Sequence, residues 1–240
     1  MHQQATATAG SFSVTDTPAS SAAPTGTRAA GIAIAAATIL STIFVALDQG
    51  ASGDTPLALL RSMVAMQAMK QLVHGVAIAS VLAYAFGYAS LAQRLGLRRP
   101  LVLAGLSAYL IGCVAMVAAT VLDGFVTGDA AALFSAASSP DGVKQGYNMI
   151  MFMGVVLTDL ARVGWVIQAV AAVGWSLVML GGRGWQFGVG LVGLLSGLLV
   201  VVAVFVAGAN MDMAAILSIL LAQAVWNLAA AAWLVRRKDY

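Results

Sequence analysis

The chain has 240 residues, of which 61% are apolar and only 9% are charged. A soluble domain usually carries about 25% charged residues, so this composition excludes an ordinary water-soluble globular protein and indicates that lipid surrounds most of the surface. The net charge of +3 comes from basic residues that mostly flank apolar segments. That pattern is typical of membrane orientation, and it argues against nucleic-acid binding.

Residues 1–28 are rich in Ser, Thr, Ala and Gln and contain too few apolar residues to fold alone. We therefore predict a disordered cytoplasmic tail there, a transmembrane domain over residues 29–236 and a cytoplasmic C-terminal tail over residues 237–240. About 20 apolar residues cross a bilayer as a helix, so six apolar segments predict an all-α bundle of six transmembrane helices. These segments run over residues 29–47, 72–92, 101–122, 185–207 and 213–235, with a further one within 146–180.

Lys and Arg predict the orientation of this bundle. Counting along six spans places eight of them on one side, namely Arg28, Arg94, Arg98, Arg99, Arg183, Arg236, Arg237 and Lys238. The opposite side holds Arg61, Lys70 and Lys144, together with Asp48, Asp54, Asp123, Asp129, Asp141 and Asp212. The side richer in Lys and Arg is normally cytoplasmic. We therefore expect both termini in the cytoplasm and three hairpins that open outward, in a bacterial inner membrane.

The first two hairpins share a sequence pattern. Asp48 and Lys70 recur about 75 residues later as Asp123 and Lys144. An internal duplication would superpose helices one and two on helices three and four, and chance similarity is the alternative. The first two outer connections are predicted to be about 24 residues long. Residues 56–70 within the first connection either lie on the outer membrane surface or extend the second span.

Two sets of polar residues are candidate sites. Asp159 and Arg162 are three residues apart on one helix face and can pair. They form either an intramembrane functional site, a structural ion pair or an interfacial pair, depending on the depth of the fourth helix. Asp48, His74 and Asp123 lie at the outer ends of their helices, where three such ligands at one level suit a divalent metal or a proton. The alternative for His74 is a simple hydrogen-bonded histidine.

Cofactors are constrained by the scarcity of ligands. The single cysteine, Cys113, leaves no cluster for zinc–cysteine or iron–sulfur sites. The two histidines, His2 and His74, do not supply facing pairs on two membrane helices, which argues against haem. Small residues at helical spacing, such as Gly193 and Gly197, predict close helix packing or oligomer contacts. Gln223 and Asn227 predict interhelical hydrogen bonds.

The layout resembles a large group of bacterial inner-membrane proteins that carry a six-helix domain of unknown function. The resemblance rests on Gly181–Gly197, where a short basic turn leads into a Gly- and Leu-rich helix, and on the hairpins before it. That group has no assigned catalytic residues, so none is carried over to this chain.

Three functional hypotheses follow from the sequence. The leading one is a non-catalytic, small transporter-like or accessory membrane protein with an acidic outer face, in contact with the lipid bilayer. The second is a subunit of a larger membrane complex or a homo-oligomer. The third is a membrane enzyme acting on a lipid or hydrophobic substrate, and it requires Asp48, His74 and Asp123 to converge.

Overall fold

The computed structural model describes residues 25–48, 50–208, 211 and 213–236. All regular elements in these residues are helical. They are α1 (Thr25–Leu47), α2 (Pro56–Leu95), α3 (Pro100–Val121), a π-helical turn (Leu122–Val126), α4 (Thr127–Ser135), α5 (Pro140–Leu180), α6 (Trp185–Ala207) and α7 (Met213–Val235).

Within the described residues, six helices are long and apolar enough to cross a membrane. The π-helical turn joins α3 to α4, and together they count as one of the six, Pro100–Ser135. This confirms the all-helical class and is compatible with a multi-pass membrane protein. Residues 1–24 of the predicted N-terminal tail (1–28), the whole predicted C-terminal tail (237–240) and Asp212 lie outside the described residues. The first helix begins at Thr25, slightly earlier than predicted.

The two connections that were predicted to be about 24 residues long are mostly helical. Helix α2 has 40 residues and α5 has 41, so each is about 60 Å long at 1.5 Å per residue, roughly twice the thickness of a membrane core. Both long helices begin at an N-cap residue. The Thr55 hydroxyl accepts from the backbone N–H of Ala58, and Ser139 caps α5 in the same way. Residues 56–70 therefore extend the second helix.

Glycine lets the helices pack closely. Helix α5 packs between α3 and α6, while α1 packs against α2 and α7. A Cβ added to Gly164 of α5 would lie 2.8 Å from the Met116 sulfur of α3, and one added to Gly193 of α6 would lie 2.2 Å from the Ser176 hydroxyl of α5. The predicted small-residue packing in α6 is confirmed for contacts within the chain.

The two ends of the bundle differ. At the basic end, the Arg94 guanidinium of α2 donates to the backbone carbonyl of Trp233 at 2.5 Å. The guanidinium also lies 4.0 Å from the centroid of the Trp233 ring. These contacts join α2 to the last turn of α7. At the acidic end, α2, α4 and α5 continue past the end of α1 around a small core of Leu60, Ala131 and Ile150. We call this part of the molecule the acidic-end extension.

The second hairpin does not reproduce the ion pair of the first among the described residues. Asp48 pairs with Lys70. Lys144, however, lies near Gly146, which packs against Phe134. Phe134 is eleven residues beyond Asp123 in sequence, or about 16 Å along a helix. The two hairpins therefore differ in register at these positions, and the internal duplication stays a prediction.

Candidate functional site: a charged cluster and a polar cavity

Four ionisable side chains meet where α1 ends against α2 and the π-helical turn. The Lys70 ammonium lies 2.9 Å from the Asp48 carboxylate and 3.9 Å from Asp123 Oδ2, and His74 Nε2 lies 2.9 Å from the same Asp123 oxygen. We call Asp48, Lys70, His74 and Asp123 the acidic-end cluster. The structure thus brings together the three outer-face candidates, and it adds Lys70 between two of them.

The π-helical turn positions Asp123. Its widened hydrogen bond runs from the Thr127 N–H to the Leu122 carbonyl, and π turns often occur at functional sites. Gly124, the next residue, makes the approach of α2 possible, because a Cβ there would lie 2.3 Å from the His74 Cβ. The Thr127 hydroxyl donates to the Asp123 carbonyl at 2.6 Å. The turn thereby brings Asp123 within hydrogen-bonding distance of His74.

The hydrogen bonds of His74 fix the orientation of its ring. Nδ1 lies 2.8 Å from the backbone carbonyl of Lys70. A carbonyl oxygen can only accept, so Nδ1 carries a hydrogen and donates it. Nε2 is then the nitrogen directed at the Asp123 carboxylate. The ring is buried and held at both nitrogens, so it presents Nε2 to the cluster in one orientation.

A cavity of about 130 Å³ borders the cluster. Lys70 and Asp123 contribute to its wall, and Gln67 and Thr127 add polar groups beside them. Gln67 also donates to Asp129 at 2.7 Å, so α2 and α4 are joined by hydrogen bonds next to the cavity. The cluster is therefore bordered by a space large enough for several water molecules or for a displaced side chain.

Asp159 and Arg162 form the predicted pair at 3.3 Å, but on the surface of α5. The Asp159 side chain is 64% exposed. Gly146 packs against Phe134 and Gly164 against Met116, and this antiparallel register places Asp159 close to the level of Asp123. The pair therefore projects from the outside of the bundle, at about the level of the acidic-end cluster, and it does not line the cavity beside that cluster.

A second, smaller cavity of about 40 Å³ lies inside the bundle, near the middle of α6 and α7. Five helices contribute polar or aromatic side chains to it. They include Tyr84, Tyr109, Gln168, Ser196, Gln223 and Asn227. This volume exceeds the roughly 15 Å³ that one water molecule needs. We call it the mid-bundle cavity.

Only some of the polar groups around the mid-bundle cavity have hydrogen-bond partners among the described residues. Asn227 accepts from the Tyr88 hydroxyl at 2.5 Å, which confirms the predicted interhelical bond for Asn227. The Tyr84 hydroxyl donates to the Thr38 hydroxyl of α1 at 3.2 Å. Trp226 lines the cavity, and its buried indole N–H has no partner among the described residues. The same side chain therefore lines the cavity and carries a buried donor that is unpaired in the described part of the chain.

Sequence reasoning missed Lys70 and most of the mid-bundle cavity. In the sequence, Lys70 was interpreted as an orientation charge and as part of the repeated pattern, although its position four residues before His74 places both on one helix face. Tyr84 and Gln168 lie within apolar segments and show no pattern of their own. A search for polar residues near the middle of each span would have found them.

The chain matches no protein-family model, no curated protein and no solved structure at a significant level. The resemblance to the six-helix inner-membrane group therefore stays a prediction.

Proposed function

We propose that the protein is a non-catalytic, transporter-like protein of a bacterial inner membrane, with the acidic end facing outward and the mid-bundle cavity as part of its ligand path. The observation that supports this most is the convergence of Tyr84, Gln168 and Asn227, from three different helices, on the mid-bundle cavity. Polar groups are costly inside a membrane bundle, and where they converge on a space they commonly line a path or a binding site.

The position of the cavity supports this proposal further. Ser196 and Gln223 lie near the middle of α6 and α7, and Gln168 of α5 lines the same cavity. Substrate sites of small transporters typically lie near the bilayer midplane between helices. The mid-bundle cavity holds only about 40 Å³. On this proposal the described conformation is therefore closed, and a ligand passes only when the helices separate.

Thiol labelling tests the proposal without knowledge of the substrate. The only native cysteine is Cys113, so Cys113→Ala gives a cysteine-free background. Ser196→Cys then places a thiol in the cavity wall. Leu195→Cys is the matched control, because Leu195 is the adjacent residue of α6 and is 60% exposed on the bundle surface, where lipid is expected.

Intact cells and inverted vesicles would be treated with a small, charged, membrane-impermeant thiol reagent. We expect Ser196→Cys to react from at least one side of the membrane and Leu195→Cys to react from neither. If the cavity thiol is silent from both sides, in a variant that elutes as a folded protein in detergent, the transporter-like proposal is wrong.

The second candidate function is a subunit of a membrane complex, and the surface of the acidic-end extension favours it. Leu133 is 70% exposed and Phe152 is 68% exposed, although both lie past the level at which α1 ends. Exposed apolar surface of this kind often marks a protein contact. Native mass spectrometry on protein extracted gently from its host membrane tests this candidate. A second polypeptide at fixed stoichiometry supports it, and a bare monomer counts against it.

A further inference from the structure

The acidic-end cluster combines the ligand types of a metal site. One carboxylate oxygen from Asp48, one from Asp123 and a ring nitrogen of His74 all lie within 4.8 Å of one another. They come from the end of α1, from the π-helical turn and from α2. We propose that these three residues bind a divalent transition-metal ion of the zinc class, in the place where the Lys70 ammonium now lies.

The chemistry of these three ligands favours this class of ion. One imidazole nitrogen and two carboxylate oxygens form a mixed set that suits zinc, manganese or ferrous iron better than the all-oxygen sites of calcium or magnesium. Three protein ligands leave a fourth position open. Asp123 also lines the 130 Å³ cavity, so that position can be filled from the cavity by water or by a small ligand.

His74 already has the second hydrogen bond that metal-binding histidines use. Its Nδ1–H donates to the Lys70 carbonyl at 2.8 Å. Such a bond fixes the tautomer and directs the other nitrogen at the metal. It is independent of the carboxylates, and it leaves Nε2 as the ligand atom that faces Asp123. Binding at Nε2 therefore requires no rotation of the buried ring.

Lys70 is the natural competitor of the metal. Its ammonium pairs with both oxygens of Asp48, at 2.9 and 3.0 Å, and approaches Asp123 at 3.9 Å, so it occupies the space between two of the ligands. A metal ion enters only when the ammonium leaves and the proton between His74 Nε2 and Asp123 is released to solvent. The flexible four-carbon stem of lysine and the cavity that Lys70 lines provide a route for that movement.

This competition predicts that removing the lysine side chain strengthens zinc binding, and a titration tests it. The full-length protein, purified in detergent without a polyhistidine tag, would be titrated with zinc in a calorimeter. Lys70→Met removes the competing charge, so we expect zinc to bind at least about tenfold more tightly than to the unaltered protein. His74→Gln and Asp48→Asn each remove a ligand, and we expect both to weaken binding by at least about tenfold.

Two control variants separate this site from others. Lys144→Met removes a lysine that is not part of the cluster, and we expect no change in affinity. His2→Gln removes the only other histidine in the chain, and we again expect no change. Asp48 follows the last residue of α1 and is partly exposed, so Asp48→Asn stays informative even if His74→Gln fails to fold.

The proposal is overturned if neither the unaltered protein nor the Lys70→Met variant binds zinc. It is also overturned if zinc binds with an affinity that Asp48→Asn does not change. These outcomes are independent of the labelling of Ser196→Cys, so the metal site and the transporter-like function can fail separately.

Discussion

The acidic-end cluster and the Asp159–Arg162 pair lie at about the same level of the bundle and hold their charges in different ways. In the cluster, the four side chains come from three separate segments of the chain and their charged atoms meet between the helices. In the pair, both residues belong to one helix, and Asp159 is 64% exposed. Acidic and basic side chains therefore join separate helices in one case and lie on the surface of a single helix in the other.

The two sites differ in how much they depend on the packing of the helices. A pair three residues apart forms whenever the helix forms, so it does not depend on how the helices pack. The cluster exists only if α1, α2 and the π-helical turn meet in one register. Its residues therefore report on the fold. Substitutions of Gly124, Asp123 and Asp159 test this contrast, and one of Ser176 tests burial elsewhere in the bundle; they follow from the largest expected effect to the smallest.

The largest effect is expected from Gly124→Ala. The added Cβ would lie 2.3 Å from the His74 Cβ, so α2 and the π-helical turn must separate. Overpacking of this kind costs about 3 kcal/mol, measured as the free energy of unfolding in detergent. Gly154→Ala is the matched control, because a Cβ there meets nothing within 4 Å. A stability equal to that of the control would refute the close contact.

Asp123→Asn comes next. The amide is nearly isosteric, but it removes the negative charge that faces both His74 Nε2 and the Lys70 ammonium. Losing hydrogen bonds to a charged partner costs about 1.5–3 kcal/mol. Chemical denaturation of the purified protein measures this cost. A loss below about 0.5 kcal/mol would show that the contacts across helices contribute little, and the contrast with the surface pair would then collapse.

Ser176→Ala is expected to act in the opposite direction. The Ser176 hydroxyl is fully buried and has no partner among the described residues. Removing an unsatisfied polar group from a buried site relieves a penalty of about 1 kcal/mol, so we expect this variant to be more stable. The control is Thr38→Val, because the Thr38 hydroxyl donates to the Ile34 carbonyl at 2.8 Å and its removal should destabilise. Destabilisation by Ser176→Ala would indicate a hydrogen bond to bound water.

The sequence allowed the helix number to be predicted, because apolar length is a local property. It left open whether residues 56–70 extend the second span, and it did not predict the helix over residues 127–135, because charged residues such as Arg61 and Asp129 interrupt these stretches. The convergence of Asp48, His74 and Asp123 could be proposed from hairpin geometry, whereas the π-helical turn that presents Asp123 has no sequence signature.

The smallest effect is expected from Asp159→Asn. The Arg162–Asp159 contact is 3.3 Å long and joins residues on one exposed helix face. Such pairs contribute about 0.5 kcal/mol or less, so the free energy of unfolding should hardly change, and zinc titration should be unaffected. Asp123→Asn measured in parallel is the matched comparison, since it makes the same chemical change at about the same level of the bundle. A larger loss at Asp159 than at Asp123 would reverse the contrast, because it would mean that the exposed face of α5 is covered by a partner in which the pair is buried.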